Sequence, residues 1–362
     1  MPAISTVAGA QSSTTTRPQL GRRSQCVVLL LATWTVLGLF LDVWSHGQFQ
    51  NESFFSPWHA LFFPGFAAAA AYIVWPAVRS MRAGRPAYAG VPVSYDLGIA
   101  GVLIFLCGVS GDAVWHTVFG VERGIEAVMS PPHVLLVVGL VLISSIPFRA
   151  AWVAQGEDGD APSFRAFLPA LLSLALSMLM IAVGAFYFWG FHSARLMSVR
   201  TLERFIAEIA PATAGLPLVH EAAQDLAFSS ILITNLILLA PVFVLLRRWR
   251  PPFGSATLLF TVPAILMAAV AGMFYPPLLI APVLGGLLAD GLIQRWRPSS
   301  LRTAEIRAIA IVVPLVMWSM YFLATQFLWG VAWPMTMWAG AILWASASGL
   351  GLSLVAFPGR TP

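Results

Sequence analysis

Two short stretches of this chain concentrate the side chains that bind metals and transfer protons. Each stretch combines aspartate, glutamate and histidine within about two dozen residues, between long apolar runs. The first contains Asp42, His46, Glu52 and His59, and the second contains Asp112, His116, Glu122, Glu126 and His133. Both follow the pattern Asp-x3-His, a spacer, then Glu-x3-Ser-Pro-x-His, and the second spacer is longer by four residues. The pattern indicates an internal duplication of a helical hairpin.

The spacing predicts that each copy gathers three of these side chains. Aspartate and histidine four residues apart lie on one face of a helix. In Ser-Pro-x-His, serine is a natural N-cap and proline suits the first helical position, so the histidine falls in the first turn of the next helix. In an antiparallel hairpin that histidine is level with the preceding Asp-x3-His. We therefore expect two triads, Asp42 with His46 and His59, and Asp112 with His116 and His133.

Two histidines and one carboxylate form an open site that suits copper, non-haem iron or zinc. Glu52, Glu122 and Glu126 are candidate catalytic residues that complete the coordination, orient the histidines or move protons. His192 is a candidate additional metal ligand. The sequence leaves open whether the two copies form two mononuclear sites or one dinuclear centre. It also leaves open the plainer interpretation that these are solvated polar residues at a membrane interface.

The composition predicts the elements that must position these residues. Of 362 residues, 59% are hydrophobic and only 10% are charged, as in a polytopic membrane protein. The fold class is all-α, an integral membrane helical bundle of ten transmembrane helices, or nine if the piece after Tyr275-Pro276-Pro277 is re-entrant. The predicted spans are 26–45, 57–78, 97–117, 131–151, 166–190, 226–246, 255–274, 277–293, 306–328 and 333–357.

The arginines predict the orientation in a cell membrane. All 20 basic residues are arginine, and 16 of them fall in the tails and in the loops on one side. The positive-inside rule makes that side cytoplasmic, together with both termini. All six histidines then lie at or near the outer ends of helices. The metal site is therefore expected to face the extracytoplasmic side.

The chain divides into four predicted parts. Residues 1–24 form a disordered cytoplasmic tail, 25–152 hold the duplicated hairpins, and 153–165 form a cytoplasmic linker. Residues 166–358 form a six-helix region whose outer segment, 191–225, includes an amphipathic stretch. The last four helices carry only Asp290 at a cytoplasmic end and no charged pathway, which argues against a secondary transporter.

The first copy resembles a copper site in the membrane-embedded part of the copper membrane monooxygenases, the particulate methane and ammonia monooxygenase family. Asp42, His46 and His59 reproduce its Asp-x3-His-x12-His spacing, and Ser56-Pro57-Trp58-His59 stands for its Thr-Pro-x-His ending. Asp112-Ala-Val-Trp115-His116 is similar to the family's Asp-x2-Trp-His, with a spacer of 16 residues instead of 12. The resemblance implies that Asp42, His46 and His59 are copper ligands.

Three functions are consistent with the sequence. The first is a copper- or iron-dependent membrane oxidoreductase, similar to a monooxygenase, that acts on a small or lipophilic substrate and needs an electron donor or partner subunits. The second is a metal-binding, metal-delivery or sensing protein without turnover. The third is a zinc-dependent membrane hydrolase. The expected surroundings are the lipid bilayer, and nucleic acid is not an expected partner because the arginines follow the membrane topology.

Overall fold

A computed structural model of the protein describes residues 17–46, 57–120, 126–154, 159–160, 163–198, 201–204, 217–270, 276–299 and 302–358. Within these residues the chain is almost entirely helical. The long helices are α1 (Arg22–His46), α2 (His59–Arg82), α3 (Asp96–Phe119), α4 (Pro131–Ser144), α5 (Ile146–Ala154), α6 (Phe164–Gly184), α7 (Pro217–Leu246), α8 (Ser255–Val270), α9 (Ile280–Trp296), α10 (Thr303–Trp329) and α11 (Met335–Ala356).

Short elements connect these helices. Single helical turns span Ala87–Gly90, Glu126–Met129 and Ala194–Met197, and 3₁₀ turns span Val93–Tyr95, Phe186–Phe188, Gly190–His192 and Pro276–Leu279. Two strands of two residues each, β1 (Gly159–Asp160) and β2 (Trp249–Arg250), pair in parallel.

The helices confirm the predicted all-α membrane bundle. Each of the ten predicted spans contains a helix, α4 and α5 together forming one of them. Among the described residues, eight helical segments are long and apolar enough to cross a membrane. Helices α8 and α9 are shorter, with 16 and 17 residues. The prediction of a multi-pass membrane protein is thus supported, and the number of crossings stays a prediction.

Helices α1 and α2 pack closely because glycine removes the side chain at their contact. A Cβ added at Gly38 would lie 2.6 Å from the Cβ of Phe62, and one added at Gly65 would lie 3.1 Å from the backbone nitrogen of Thr35. Small residues allow helix backbones to approach in membranes, where dispersion contacts drive association. The first hairpin is therefore held by mutual insertion at two levels.

Helices α3 and α4 repeat this packing at equivalent positions. A Cβ at Gly108 would lie 2.8 Å from the side chain of Leu136, and a Cβ at Gly139 would lie 2.9 Å from the carbonyl oxygen of Gly101. Each pair of glycines has the same place relative to the motif. Gly38 and Gly108 precede the motif aspartates by four residues, and Gly65 and Gly139 follow the motif histidines of the returning helices by six. The duplication thus extends from the polar motif into the helix contacts.

A serine hydroxyl separates α4 from α5. Pro147 has no backbone N–H and disfavours a continuous helix. The hydroxyl of Ser173 on α6 donates to the carbonyl of Ser144 at 2.6 Å and accepts from the N–H of Phe148 at 3.0 Å. It therefore occupies the place of an ordinary helical hydrogen bond, which is a recognised cause of helix bending.

The C-terminal helices enclose an irregular segment, 185–198. Trp189 and Met197 are fully buried there. Thr234 on α7 accepts from the N–H of Gly190 at 2.6 Å, and the Tyr321 hydroxyl on α10 donates to the Gly190 carbonyl at 2.8 Å. Non-helical backbone at membrane depth is tolerated when protein groups satisfy it in this way. The predicted amphipathic stretch overlaps this segment, and residues 199–200 and 205–216 lie outside the described part of the chain.

Candidate metal centre

Asp112 and His116 lie on the last two turns of α3 and face the same point. The Nε2 atom of His116 is 3.3 Å from Oδ1 of Asp112, as their i, i+4 spacing predicted. The aspartate side chain is only 7% exposed, whereas that of the histidine is 16% exposed. An ionisable group buried at the end of an apolar helix is costly and is by default a functional candidate.

His133 reaches the same aspartate from the neighbouring helix. Helix α4 begins at Pro131, and Ser130 before it has the extended backbone of an N-cap residue. This places His133 in the first turn, with its Nε2 atom 3.2 Å from Oδ1 of Asp112. The three residues Asp112, His116 and His133 are called the triad below, and the end of the bundle where they lie is called the triad end.

The Ser130 hydroxyl has a different partner from the one that the sequence predicts. Ser130 was expected to cap the helix, and it occupies the cap position, but its side chain makes no capping hydrogen bond to the backbone. Its Oγ atom lies 2.8 Å from Nδ1 of His133 instead. This contact fixes the imidazole orientation and leaves Nε2 directed at Asp112.

A backbone carbonyl orients His116 in the same way. Its Nδ1 atom is 3.1 Å from the carbonyl oxygen of Gly120, which can only accept a hydrogen bond. Gly120 ends α3 with φ of 82°, a left-handed conformation that favours glycine. With Nδ1 donating, a neutral His116 presents the lone pair of Nε2 to the triad. Hydrogen bonding of the second ring nitrogen is the usual arrangement for a metal-binding histidine.

The three ligand atoms are arranged as if around a common cation. Nε2 of His116 and Nε2 of His133 each lie at 3.2–3.3 Å from Oδ1 of Asp112, and all three atoms lie within 4.8 Å of one another. Metal–nitrogen bonds of about 2.0–2.1 Å in a tetrahedral site would place ligand atoms about 3.3–3.4 Å apart. No described residue donates a well-aligned hydrogen bond to Asp112 Oδ1. A lone pair and a carboxylate oxygen at this distance need a proton or a metal ion between them.

The first copy reproduces one contact of the triad. Nε2 of His59 is 3.3 Å from Oδ2 of Asp42, and both side chains are largely buried, at 10% and 6% exposure. Trp44 and Trp58 pack edge to face beside this pair. The Asp42–His59 contact corresponds to the Asp112–His133 contact in the second copy. His46 ends α1, and its side chain lies outside the described part of the structure.

The other predicted site residues have different positions. Glu52 and Glu122 lie outside the described residues, as does the side chain of Glu126, whose backbone begins the short helix before Ser130. His192 lies in the segment 185–198 with its Nε2 atom 3.1 Å from the carbonyl oxygen of Met267. Among the described His, Cys, Asp and Glu side chains, only the triad forms a group of three with metal-binding spacing.

Sequence reasoning missed the two groups that orient the histidines. The Gly120 carbonyl had no side-chain signal, although glycine directly after an Asp-x3-His-x3 run is a common helix-ending residue. Ser130 was recognised only as a cap. The family models, the curated proteins and the solved structures to which the chain was compared contain no match to it.

Proposed function

We propose that this protein is an integral membrane metalloprotein whose triad binds copper, with iron as the alternative, and carries out redox chemistry on a small or lipophilic substrate. The observation that carries the proposal is the convergence of Asp112, His116 and His133 on one point, with both histidines held by a second hydrogen-bonding group. The coarser statement, an Asp/His cluster able to hold a metal ion among apolar helices, is what the structure shows directly.

The donor set favours a transition metal over calcium or magnesium. Imidazole nitrogens suit copper, iron, nickel and zinc, whereas calcium and magnesium select oxygen ligands. Two imidazoles and one carboxylate leave coordination positions open for substrate or water. Copper or iron at such a site supplies one-electron redox chemistry. The resemblance of the first motif to a copper site favours copper between these two.

The surroundings of the triad favour a substrate that arrives through the lipid. Val114, Val118 and Phe119 on the last turns of α3 are 63%, 64% and 67% exposed. In a membrane these side chains face lipid acyl chains, beside the carboxylate and imidazoles of the triad. Trp115 packs on Phe119 and contributes to the same apolar surface. A lipophilic molecule in the bilayer could therefore reach the triad laterally.

The residues have distinct roles in this proposal. Asp112 supplies the negative charge, His116 and His133 supply neutral nitrogens, and Ser130 and the Gly120 carbonyl hold the two rings in place. Glu122 and Glu126 precede Ser130 in the chain and are proposed to move protons at the site. The arginine distribution supports an extracytoplasmic position for the triad. Asp42, His46 and His59 would form the corresponding site of the first hairpin.

Metal loading of the purified protein tests the proposal. We expect the wild-type protein, stripped with a chelator and reloaded with Cu(II), to retain up to two copper ions, with nitrogen-coupled signals in electron paramagnetic resonance that vanish on reduction by ascorbate. Loss of one ion in Asp42→Asn would indicate two mononuclear sites, and loss of both would indicate a shared centre. Failure to retain copper or iron would overturn the proposal, and selective retention of zinc would support a hydrolase instead.

Turnover distinguishes the oxidoreductase from the second hypothesis. A copper-loaded protein that consumes oxygen with an added electron donor supports an enzyme. A protein that binds copper and releases it to an acceptor chelator without consuming oxygen supports delivery or sensing. Thr117→Ala is a suitable control in both assays because Thr117 is exposed, neighbours His116 and bonds only within its own helix.

A further inference from the structure

A second polar site lies at the opposite end of the bundle from the triad. A cavity of about 320 Å³ is lined by Val93, Ser94, Asp96, Leu97, Arg149, Trp152 and Val153. It lies between the start of α3 and the end of α5. Asp96 precedes Asp112 by 16 residues, which corresponds to about 24 Å along a helix. The cavity is therefore separate from the metal centre and is unaffected by whether the proposed function is correct.

Arg149 provides the cavity with unused hydrogen-bond donors. Its Nη2 atom donates to the carbonyl oxygen of Leu142 at 2.9 Å, which turns the side chain back along the helix. Its Nε and Nη1 atoms are buried and have no hydrogen-bond acceptor among the described residues. The Ser94 hydroxyl is also buried and without a described partner. Buried guanidinium donors are rarely left unsatisfied because their desolvation is costly.

The charges around the cavity leave a positive excess. Asp96, the one carboxylate that lines it, accepts two hydrogen bonds from Arg17, at 2.6 and 2.9 Å. Its negative charge is therefore balanced by Arg17 and does not neutralise Arg149. Arg248 adds a further positive charge and stacks 5.1 Å from the ring centroid of Trp152. A small anion with several acceptor oxygens would satisfy Nε, Nη1 and Ser94 together.

The rim of the cavity is apolar and exposed. Val93, Leu97 and Val153 line the cavity and are 39%, 53% and 48% exposed. A polar, cationic interior with an apolar rim on the membrane-facing surface matches an amphipathic ligand. The arginine distribution also predicts this end to be cytoplasmic, where anionic lipids attract basic residues.

We infer that this cavity binds a phosphate group through Arg149 and Ser94, and that its apolar rim selects the phosphate of an anionic phospholipid over free phosphate. The guanidinium of Arg149 holds two phosphate oxygens through Nε and Nη1. Ser94 donates to a phosphate oxygen, and the acyl chains extend along Val93, Leu97 and Val153.

Native mass spectrometry of the delipidated full-length protein tests this inference, with dioleoyl phosphatidylglycerol, dioleoyl phosphatidylcholine and inorganic phosphate as probes. We expect one phosphatidylglycerol to bind at least about tenfold more tightly to the wild type than to Arg149→Gln, because two charge-assisted hydrogen bonds are lost. Phosphatidylcholine should bind both proteins equally. The control Arg295→Gln, an exposed arginine at the end of α9, should bind phosphatidylglycerol like the wild type.

The remaining outcomes are also decisive. Inorganic phosphate that binds the wild type but not Arg149→Gln, with no such difference for the lipid, would keep the phosphate site and overturn its lipid source. Equal binding of both probes to the wild type and Arg149→Gln would overturn the inference. If Arg149→Gln does not yield a monodisperse protein, Ser94→Ala replaces it. Loss of that single hydroxyl should weaken phosphatidylglycerol binding about threefold, and unchanged binding would contradict the site.

Discussion

Replacing Asp112 by asparagine is expected to lower the affinity of the triad for Cu(II) by at least about a hundredfold. Loss of outer groups that merely orient a ligand already costs about 10–100-fold in metal affinity. Asp112 is expected to cost more because it carries the only negative charge of the triad and both histidine Nε2 atoms approach its Oδ1. Asparagine has nearly the same shape, so the loss reports on charge and ligation rather than on packing.

The measurement is a competition titration with a chromophoric copper chelator. It is best done in the Asp42→Asn background, so that only one motif contributes. Thr117→Ala in the same background should retain the parent affinity, since Thr117 is exposed on the same turn. An Asp112→Asn protein that binds copper within a factor of about three of its parent would show that the metal lies elsewhere.

Replacing Gly139 by leucine is expected to separate α3 from α4 and to weaken metal binding indirectly. Even a Cβ at this position would lie 2.9 Å from both the Gly101 carbonyl oxygen and the backbone nitrogen of Phe105. Because these are backbone atoms, no rotamer change relieves the clash, and the helices must move apart. Overpacking typically costs about 1–3 kcal/mol, and leucine against two backbone groups should fall at or above the upper end.

Thermal unfolding followed by tryptophan fluorescence measures this effect, with an expected decrease in apparent Tm of at least about 5 °C. Copper affinity should fall as well, because His133 on α4 must stay level with Asp112 on α3. Gly351→Leu is the matched control, since a side chain there meets no atom within 4 Å. A Gly139→Leu protein as stable as Gly351→Leu would contradict the close packing of the second hairpin.

The helices and the triad could be predicted because both depend on local sequence. Ten apolar runs predicted ten helical segments, since burial in lipid obliges the backbone to bond within each segment. The Asp112–His116 contact followed from the helical period alone. His133 followed from the start of α4 at Ser130-Pro131 and from the short connection between the helices. These are properties of a few neighbouring residues.

The contacts that depend on distant residues could not be predicted. Ser173 enters the break between α4 and α5 from another helix, and Arg17 engages Asp96 across 79 positions of the chain. Nothing near Ser173 or Arg17 in the sequence indicates these partners. The choice of Ser130 between the backbone and His133 is local, but it depends on a competition between two hydrogen bonds that the sequence does not resolve. The cavity around Arg149 likewise arises only from tertiary packing.

The most direct test of the central claim is the number of imidazoles bound to one copper ion. Pulsed electron paramagnetic resonance on the copper-loaded Asp42→Asn protein counts them through coupling to the remote ring nitrogens. The triad geometry predicts two equatorial imidazoles, from His116 and His133, and one after His133→Ala. A spectrum without imidazole coupling, or one that His133→Ala leaves unchanged, would contradict a metal centre at the triad.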